Sequence, residues 1–241
     1  MLKEIVDRSA AFVGLVLLAP LFLVVCLLVW GRDGRSPFYV ADRVARGGGS
    51  FRMVKIRSMI ADADRLGPSS TAGDDARVTA VGRFIRRWKI DELSQLWNVL
   101  AGDMSLVGPR PQVLAEVADY TEQERGLLAV KPGITDFSSI VFADEGEILR
   151  GAADADLAYR QLIRPWKSRL GLLYVEHRGF FIDLRLIGLT LLRIVAPARA
   201  LAGVCGLLER LGASEELLRV ARRSSPLLPG TVPGRERPLA S

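Results

Sequence analysis

Residues 10–30 read AAFVGLVLLAPLFLVVCLLVW, a run of 21 residues without a charged side chain. About 20 apolar residues of α-helix cross the hydrocarbon core of a bilayer, so this run is long enough for a membrane helix. No small-residue cleavage site precedes the charged GRDGR of residues 31–35, which argues against a signal peptide that is removed. We therefore expect residues 1–31 to be a retained membrane segment.

Pro20 stands in the middle of this run, where a proline removes one backbone donor and clashes with the preceding turn. One interpretation is a kinked but complete span, because membrane helices tolerate proline. The other is a helix that breaks at Ala19–Pro20 and returns to the same face, and the residues alone favour the complete span slightly. The flanking charges permit both ends to be cytoplasmic, since the basic residues are balanced: Lys3 and Arg8 before the run, Arg32 and Arg35 after it.

The composition indicates which class of molecule the protein binds. The 33 basic and 27 acidic residues give a formal net charge of +6, which suits an anionic partner. Because 49% of the residues are hydrophobic and no nucleic-acid-binding motif accompanies the charge, lipid or a phosphorylated substrate is favoured and no nucleic acid is expected. His177 is the only histidine, and Cys26 and Cys205 have no metal-binding or redox spacing, so zinc and disulfide chemistry are not expected.

The region after the apolar run predicts a small β-hairpin followed by helices. Residues 37–44 and 51–56 alternate apolar and polar side chains around three glycines, 47–49, which form a turn more readily than a phosphate-binding loop. The polar residues 61–76 predict a mobile loop. Apolar spacing predicts helices over 90–102 and 113–128. The fold class is therefore mainly α with a small β-hairpin (α+β).

The C-terminal third predicts helices that lie on a membrane surface. Between residues 162 and 195 charges interrupt every apolar run before it reaches spanning length, which favours interfacial amphipathic helices over ordinary packing on a soluble core. Residues 196–241 predict a weak helix and then a disordered tail, because the last segment is rich in proline and glycine. The expected units are 1–31 in the membrane, a domain over 32–195 with the interfacial helices, and the tail 196–241.

Asp91 and Glu92 are the carboxylates most suited to chemistry. Acids at the start of a helix often only cap free amides, so the pair alone proves little. However, basic residues surround it in the sequence, and Arg110 follows in the rigid turn Gly108-Pro109-Arg110-Pro111. Arginine grips phosphate oxygens with paired hydrogen bonds, and a carboxylate can attack phosphorus once the repulsion between the two anions is reduced. Mg²⁺ held by one or two carboxylates and by substrate oxygens would reduce it.

At this point the sequence resembles a known family. The run DDARVTAVGRFIRRWKIDELSQLWNVLAGDMSLVGPRP, residues 74–111, is similar to bacterial sugar transferases that act as monotopic polyprenyl-phosphate phosphoglycosyl transferases. The resemblance extends from the apolar segment with its central proline through PFYVADRV, MVKIRSM and KPGIT to YVEHRGFFIDLRLI at 174–187. It covers residues 1–195, and the ordered series of motifs makes it specific.

The resemblance implies an activity. A nucleotide diphosphate sugar, expected to be a UDP-sugar, and polyprenyl phosphate would give polyprenyl diphosphate sugar and nucleoside monophosphate, as the first membrane step of glycoconjugate or exopolysaccharide assembly. It also implies a re-entrant segment broken at Pro20, which reverses the preference stated above. The active site would then lie on the cytoplasmic face of the bacterial inner membrane, and a homo-oligomer is permitted.

The resemblance also assigns roles to residues. Asp91 would be the nucleophile, held ionised at the start of its helix, and a ligand of Mg²⁺. Glu92 would assist proton handling and positioning. Lys55 would face the site, Arg86 and Arg110 would bind phosphate, and Pro109 and Pro111 would fix the turn.

One stretch departs from the family pattern. Many relatives follow Pro-Gly-Ile-Thr with a glycine and an aromatic residue, whereas this chain continues with Asp136-Phe137-Ser138-Ser139, a form that a second subgroup shares. The alternative to an enzyme is a membrane-surface adaptor that binds anionic lipid through the same basic helices. An adaptor would tolerate asparagine at Asp91.

Overall fold

The computed structural model describes residues 2–236, and helices dominate this part of the chain. The helices are α1 Leu2–Asp33, α2 Ala80–Arg87, α3 Ile90–Leu93, α4 Leu96–Ala101, α5 Leu114–Ala118, α6 Phe137–Val141, α7 Glu145–Ile148, α8 Ala155–Leu162, α9 Arg164–His177, α10 Phe180–Val195, α11 Pro197–Arg210 and α12 Glu215–Arg222. Short 3₁₀ turns lie at Arg46–Gly48, Ala63–Arg65 and Glu124–Ala129. The predicted fold class, mainly α with a small hairpin, is confirmed.

The strands form two small sheets. β1 (Phe38–Val44) and β2 (Ser50–Ile56) pair antiparallel, with Ala41 opposite Met53, which confirms the predicted hairpin. Gly47 and Gly48 adopt positive φ in the connecting turn, so the glycines serve the turn, as predicted. The second sheet is a parallel pair of β3 (Ser105–Val107) and β4 (Gly133–Thr135), and the sequence analysis did not predict it.

Helix α1 is long and apolar enough to cross a membrane, and it continues through Pro20. The break predicted at Pro20 is therefore wrong. A proline inside a helix removes one hydrogen bond, and a helix with good packing elsewhere keeps its course with at most a kink. Packing is available here, because buried Ala11 lies in a cluster with Phe51 of β2 and Val99 of α4.

Helix α1 is bound to the rest of the protein at both of its ends. Near its start, Lys3 pairs with Asp183 of α10 at 2.5 Å, and the hydroxyl of Ser105 donates to Asp7 at 2.6 Å. At its end, Asp33 receives two hydrogen bonds from the Arg57 guanidinium, at 2.5 and 2.7 Å. The opposite face exposes large apolar side chains, among them Phe12, Leu17, Leu23, Leu27 and Trp30. One face of α1 is therefore docked along its whole length and the other face is unpartnered within the described chain.

The main core lies in the C-terminal half. Helix α9 contributes buried Trp166, Leu170 and Tyr174, so this helix follows the ordinary core packing that the sequence analysis ranked second. Helix α10 differs, because it buries Leu186 but exposes apolar side chains that suit an interface with lipid: Phe180, Phe181, Leu184, Leu191 and Val195.

Two predicted helices are interrupted. The helix expected over 90–102 is divided into α3 and α4, because the Ser94 hydroxyl donates to the carbonyl of Asp91 and competes with the helical backbone pattern. The helix expected over 113–128 ends at Ala118. A new turn then begins at Thr121, whose hydroxyl accepts from the amide of Glu124 while the Glu124 carboxylate accepts from the amide of Thr121, a reciprocal capping box.

The chain after residue 196 is packed and not disordered as far as the structure describes it. Helices α11 and α12 bury Leu207, Leu208 and Leu217 in the main core. Residues 224–236 then run over α8 and α9, where the Gly230 amide donates to the carbonyl of Gln161 and Val232 is 1% exposed. The predicted disordered tail is wrong up to residue 236, and its last residues, 237–241, lie outside the described part of the chain.

Candidate active site

Asp91 lies on α3, directly after a tight connection from α2. Lys89 makes this connection with a positive φ of 56°, which lets the chain turn between the two helices. Asp91 is 8% exposed, and its Oδ1 atom is buried without a hydrogen-bond partner among the described residues. A buried carboxylate oxygen without a partner is costly in the free protein. This oxygen is therefore available to a ligand that the structure does not contain.

Burial and the neighbouring Glu92 raise the pKa of Asp91, and the cations Lys55, Lys89 and Arg86 oppose this rise. The sequence analysis expected the start of a helix to keep Asp91 ionised. Helix α3 has only four residues, so its dipole is small, and the local cations are the main groups that favour the charged carboxylate.

Glu92 is paired with Arg110. The guanidinium Nη2 donates to Glu92 Oε1 at 2.5 Å, and the side chains are 27% and 13% exposed. Burial disfavours the charged Glu92 carboxylate, but Arg110, Lys89 and Lys55 outweigh it and hold its pKa well below the usual range. The pair in turn raises the pKa of Arg110. Glu92 is therefore an anion that orients Arg110, which suits positioning better than proton transfer.

Close contact between two backbone segments, one directly after β3 and one at the start of β4, fixes the position of Arg110. Arg110 follows β3, and the amide of Gly133, at the start of β4, donates to the carbonyl of Pro109 at 3.0 Å. A Cβ atom added at Gly133 would lie 2.1 Å from the backbone nitrogen of Gly108, so the two chains can meet this closely only through glycine. Together with Pro111, this contact leaves the backbone around Arg110 little freedom.

Lys55 and Arg86 lie around the same carboxylates. Lys55, on β2, is half-buried, and burial together with Arg110 and Arg43 lowers its pKa to about 8 although Glu92 and Asp91 oppose the shift. Arg86, at the end of α2, is half-buried and close enough to stabilise charged Asp91. The structure thus brings together the five polar residues that the sequence analysis selected, and their roles remain predictions.

The motif R-x-T-x-x-G, residues 77–82, has a structural role that the sequence did not indicate. The Arg77 guanidinium is buried and donates to the carbonyls of Ala63 and Pro68, and it pairs with Asp75 at 2.7 Å. Thr79 caps α2 by accepting a hydrogen bond from the amide of Gly82. The loop 61–76 is irregular, as predicted, but these contacts hold it in place.

Gly82→Ala is expected to destabilise the fold, because a Cβ atom at this position would lie 1.7 Å from the carbonyl oxygen of Ser58. Overpacking of this kind costs roughly 1–3 kcal/mol or more, and a lower melting temperature of the detergent-purified protein would report it. Gly206→Ala is the matched control, since no atom lies within 4 Å of its added Cβ apart from its chain neighbours and the nearby backbone of α11. The control should be stabilised by up to about 1 kcal/mol, and equal melting temperatures for both variants would contradict the argument.

The structure adds two residues to the rim of the site. Lys167 of α9 lines one small cavity together with Arg110, and it forms an ion pair with Glu145 of α7. Glu145 also lies close enough to Arg110 for each to shift the pKa of the other. Both residues are more than 30 positions from Arg110 in the sequence, and no motif connects them with it.

The divergent Asp-Phe-Ser-Ser stretch serves the fold. The Asp136 carboxylate accepts hydrogen bonds from the Ser139 amide at 2.7 Å and from the hydroxyls of Ser138 and Ser139 at 2.8 Å. Asp136 is 1% exposed and is the N-cap of α6. The stretch therefore explains how α6 begins, and α7, whose Glu145 lies near Arg110, follows α6 in the chain.

The residues around Asp91 fit a magnesium ion. The described residues contain no group of three or more His, Cys, Asp or Glu side chains that could hold a metal by themselves. Mg²⁺ does not require such a group, because it commonly binds one or two carboxylates and completes its shell with water and substrate phosphates. The unpartnered Oδ1 of Asp91 is a ligand of the right type.

Helices α2 and α4, which flank α3, both pack against α1. Ile85 of α2 lies in a cluster with Val25 and Val29 of α1, and Leu96 of α4 packs near Ala11. Aromatic side chains are exposed at 45–58% on both helices and directly after α2: Phe84, Trp97 and Trp88. Exposed aromatic residues next to an apolar helix are typical of the boundary between membrane and water. Helix α3, which carries the two carboxylates, therefore lies between two helices that pack on α1 and expose aromatic side chains.

Comparisons with known proteins identify the family of the chain. The bacterial sugar transferase family matches residues 1–197. The uncharacterized sugar transferase EpsL of Bacillus subtilis is 34% identical over 196 residues, which cover 80% of this chain and 87% of EpsL. The UDP-galactose-lipid carrier transferase of Erwinia amylovora is 38% identical over 149 residues, which cover 56% of this chain and 31% of that protein. The exopolysaccharide production protein ExoY of Rhizobium meliloti is 38% identical over 150 residues, which cover 56% of this chain and 66% of ExoY.

For three of the matched relatives, the chain spans only 31–62% of the relative's own length. EpsL is covered over 87% of its own length, and the family match extends over residues 1–197 of this chain. The chain belongs to the bacterial sugar transferase family.

Proposed function

We propose that the protein transfers a phospho-sugar from a nucleotide diphosphate sugar, a UDP-sugar, to polyprenyl phosphate. The observation that carries the proposal is the buried Asp91, whose free Oδ1 lies beside the Glu92–Arg110 pair. The names of relatives support it: one is a UDP-galactose-lipid carrier transferase and another is an undecaprenyl-phosphate galactose phosphotransferase of Salmonella typhimurium. The products are polyprenyl diphosphate sugar and a nucleoside monophosphate, and the reaction is the first membrane step of glycoconjugate or exopolysaccharide assembly.

Asp91 acts as the nucleophile. A carboxylate oxygen of Asp91 attacks the phosphorus that bears the sugar, and the bond from that phosphorus to the bridging oxygen breaks. The electron pair leaves with the nucleoside monophosphate, and Asp91 carries the phospho-sugar. A phosphate oxygen of polyprenyl phosphate then attacks the same phosphorus and releases the Asp91 carboxylate. Because one site serves the two substrates in turn, the kinetics are ping-pong.

The surrounding residues reduce the repulsion between the anions. Glu92 occupies one nitrogen of Arg110, and the guanidinium has further N–H groups to offer a phosphate. Lys55, with a pKa of about 8, stays mostly protonated at neutral pH and adds a second cation, and Arg86 adds a third. When bound at Asp91, Mg²⁺ supplies charge neutralisation on the diphosphate.

An activity assay with the purified protein tests this function directly. It is incubated with polyprenyl phosphate, Mg²⁺ and a panel of UDP- and other nucleotide sugars, and the release of nucleoside monophosphate is followed together with the lipid product. Release that requires a sugar nucleotide, with a lipid-linked diphosphate sugar as product, is the expected result. A protein that binds anionic lipid but releases no monophosphate with any donor would instead be an adaptor.

Both ends of α1 lie on the cytoplasmic side of the membrane in this proposal. The same body of the protein binds Lys3 and Asp33 at the two ends of the helix, and a charged body that follows the helix for its whole length cannot lie inside the hydrocarbon core. The helix therefore inserts its exposed apolar face without crossing. We further propose that this side is the cytoplasmic face of the inner membrane, as the family resemblance implies, and that the active site lies there.

Cysteine labelling tests this topology in a Cys26→Ala/Cys205→Ala background. Single cysteines replace the exposed residues Leu2 and Arg32, at opposite ends of α1. We expect an impermeant thiol reagent added to intact cells to label neither cysteine, and the same reagent to label both after the cells are opened. Labelling of one end from outside would show a complete span and contradict the proposal.

A further inference from the structure

The segment that follows the family match reaches back to the rim of the site. The family match ends at residue 197, and residues 198–223 form most of α11, all of α12 and the residue that ends it, Arg223. Leu207 and Leu208 of α11 and Val220 of α12 share one core cluster with Phe142, which lies between α6 and α7. A segment outside the matched region is thus packed against the part of the chain that carries Glu145.

Arg223 makes two side-chain contacts with this part of the chain. Its Nη2 atom lies 3.0 Å from Oδ2 of Asp144, and its guanidinium lies over the ring of Phe142 at 5.8 Å. Arg223 has a positive φ of 52°, a conformation in which asparagine or glycine is favoured over arginine at the end of a helix. An arginine in this unusual backbone conformation, with two side-chain contacts, indicates that these contacts stabilise the structure here.

The target of Arg223 is the start of α7. The carbonyl of Asp144 accepts hydrogen bonds from the amides of Glu147 and Ile148, so Asp144 is part of the first turn of this helix. The next residue, Glu145, forms the ion pair with Lys167 at the rim of the cavity that Arg110 also lines. Helix α7 is short and buries few of its own side chains, which leaves outside contacts to hold it.

We propose that Arg223 is a positioning residue for the donor site: it holds Asp144, and through α7 it keeps Glu145 and Lys167 beside Arg110. The inference rests on the proposed function, because the site it serves is the phosphate-binding site of that reaction. A displaced α7 would leave Lys167 without Glu145 and would change the charge next to Arg110. The proposal assigns Glu145 and Lys167 to the nucleotide part of the donor, which polyprenyl phosphate lacks, so the nucleotide diphosphate sugar should be affected more than polyprenyl phosphate.

The test compares two neighbouring arginines. Arg223→Asn removes the contact with Asp144 and places a residue that tolerates positive φ at the end of α12. Arg222→Gln is the matched control, since Arg222 pairs with Glu209 and Glu215 on the exposed side and not with α7. We expect Arg223→Asn to raise the KM for the nucleotide sugar by about ten-fold, the effect of losing one charge-assisted contact, with the KM for polyprenyl phosphate unchanged. Arg222→Gln should leave both values at the parental level.

An exchanged pair separates positioning from general loss of structure. Combining Arg223→Asp with Asp144→Arg restores an ion pair of opposite direction, and we expect it to recover most of the donor KM. Equal donor KM values for Arg223→Asn and the parental protein would overturn the proposal. So would a rise in KM for both substrates that the exchanged pair does not reverse.

Hydrogen exchange provides a readout that does not depend on activity. The amides of residues 147–149, which donate within α7, should exchange faster in Arg223→Asn than in Arg222→Gln or the parental protein. Unchanged exchange would overturn the contact with α7. If the parental protein transfers no phospho-sugar while exchange still responds, the proposed function is wrong and the role of Arg223 in holding α7 stands.

Discussion

Asp91→Asn is expected to abolish the release of nucleoside monophosphate, with a loss of at least about 10³-fold, because an amide oxygen is not a nucleophile for phosphorus. Asparagine has nearly the same shape, and Oδ1 of Asp91 has no hydrogen-bond partner to lose in the described structure. The variant should therefore fold normally. Release of monophosphate is measured with donor alone and with donor plus polyprenyl phosphate, and both half-reactions should fail.

Glu92→Gln is the matched control for this loss. It changes the adjacent carboxylate in the same way but removes only the charge that orients Arg110, so slow transfer should remain. Intact mass measurement of the parental protein with donor alone should show one phospho-sugar attached, and Asp91→Asn should show none. Parental rates for Asp91→Asn, with deamidation excluded by mass spectrometry, would show that the mechanism does not pass through Asp91.

Arg110→Lys is expected to reduce turnover by roughly 10²-fold, the usual effect of removing one well-placed donor to a reacting anion. Lysine keeps the positive charge but cannot hold Glu92 and a phosphate at the same time with a planar fork. Steady-state rates with saturating donor measure the effect, and the melting temperature should remain close to that of the parental protein.

Arg87→Lys controls for the loss of any arginine near the site. Arg87 is exposed at the end of α2, in the same basic run as Arg86. Its replacement should change turnover by less than two-fold, as surface charges usually do. If Arg110→Lys behaved like Arg87→Lys, Arg110 would contribute only background charge and the rigid turn around it would have no catalytic meaning.

Local patterns were sufficient to predict much of the fold. The alternation on both sides of residues 47–49 predicts the hairpin, because strand period and turn glycines are local properties. The helix over 113–128 fails for an equally local reason, since Thr121 and Glu124 form a capping box that starts a new turn. The prediction of a disordered tail fails because the Gly230 amide bonds to the carbonyl of Gln161 and Val232 is buried. Composition does not reveal contacts with residues so far away in sequence.

The residues of the candidate site also fall into two groups, those that a local motif predicts and those that only tertiary packing brings to the site. Asp91, Glu92 and Arg110 belong to continuous motifs, so the sequence alone could select them. Glu145 and Lys167 reach the site only through tertiary packing. The motif R-x-T-x-x-G differs from both groups. The sequence reveals it, but its side chains stabilise a loop and cap a helix and do not contact a substrate.

Because α1 is docked at both ends, we do not expect a stable fragment that lacks this helix. In many membrane enzymes the anchor is a separate tether, and a soluble fragment survives its removal. Here the removal of α1 would uncover Phe51 and Val99 and leave Asp183 and Arg57 without their ion-pair partners. In the proposed topology, the helix that inserts into lipid is also one wall of the hydrophobic interior, so the anchor and the domain that follows it form one folding unit.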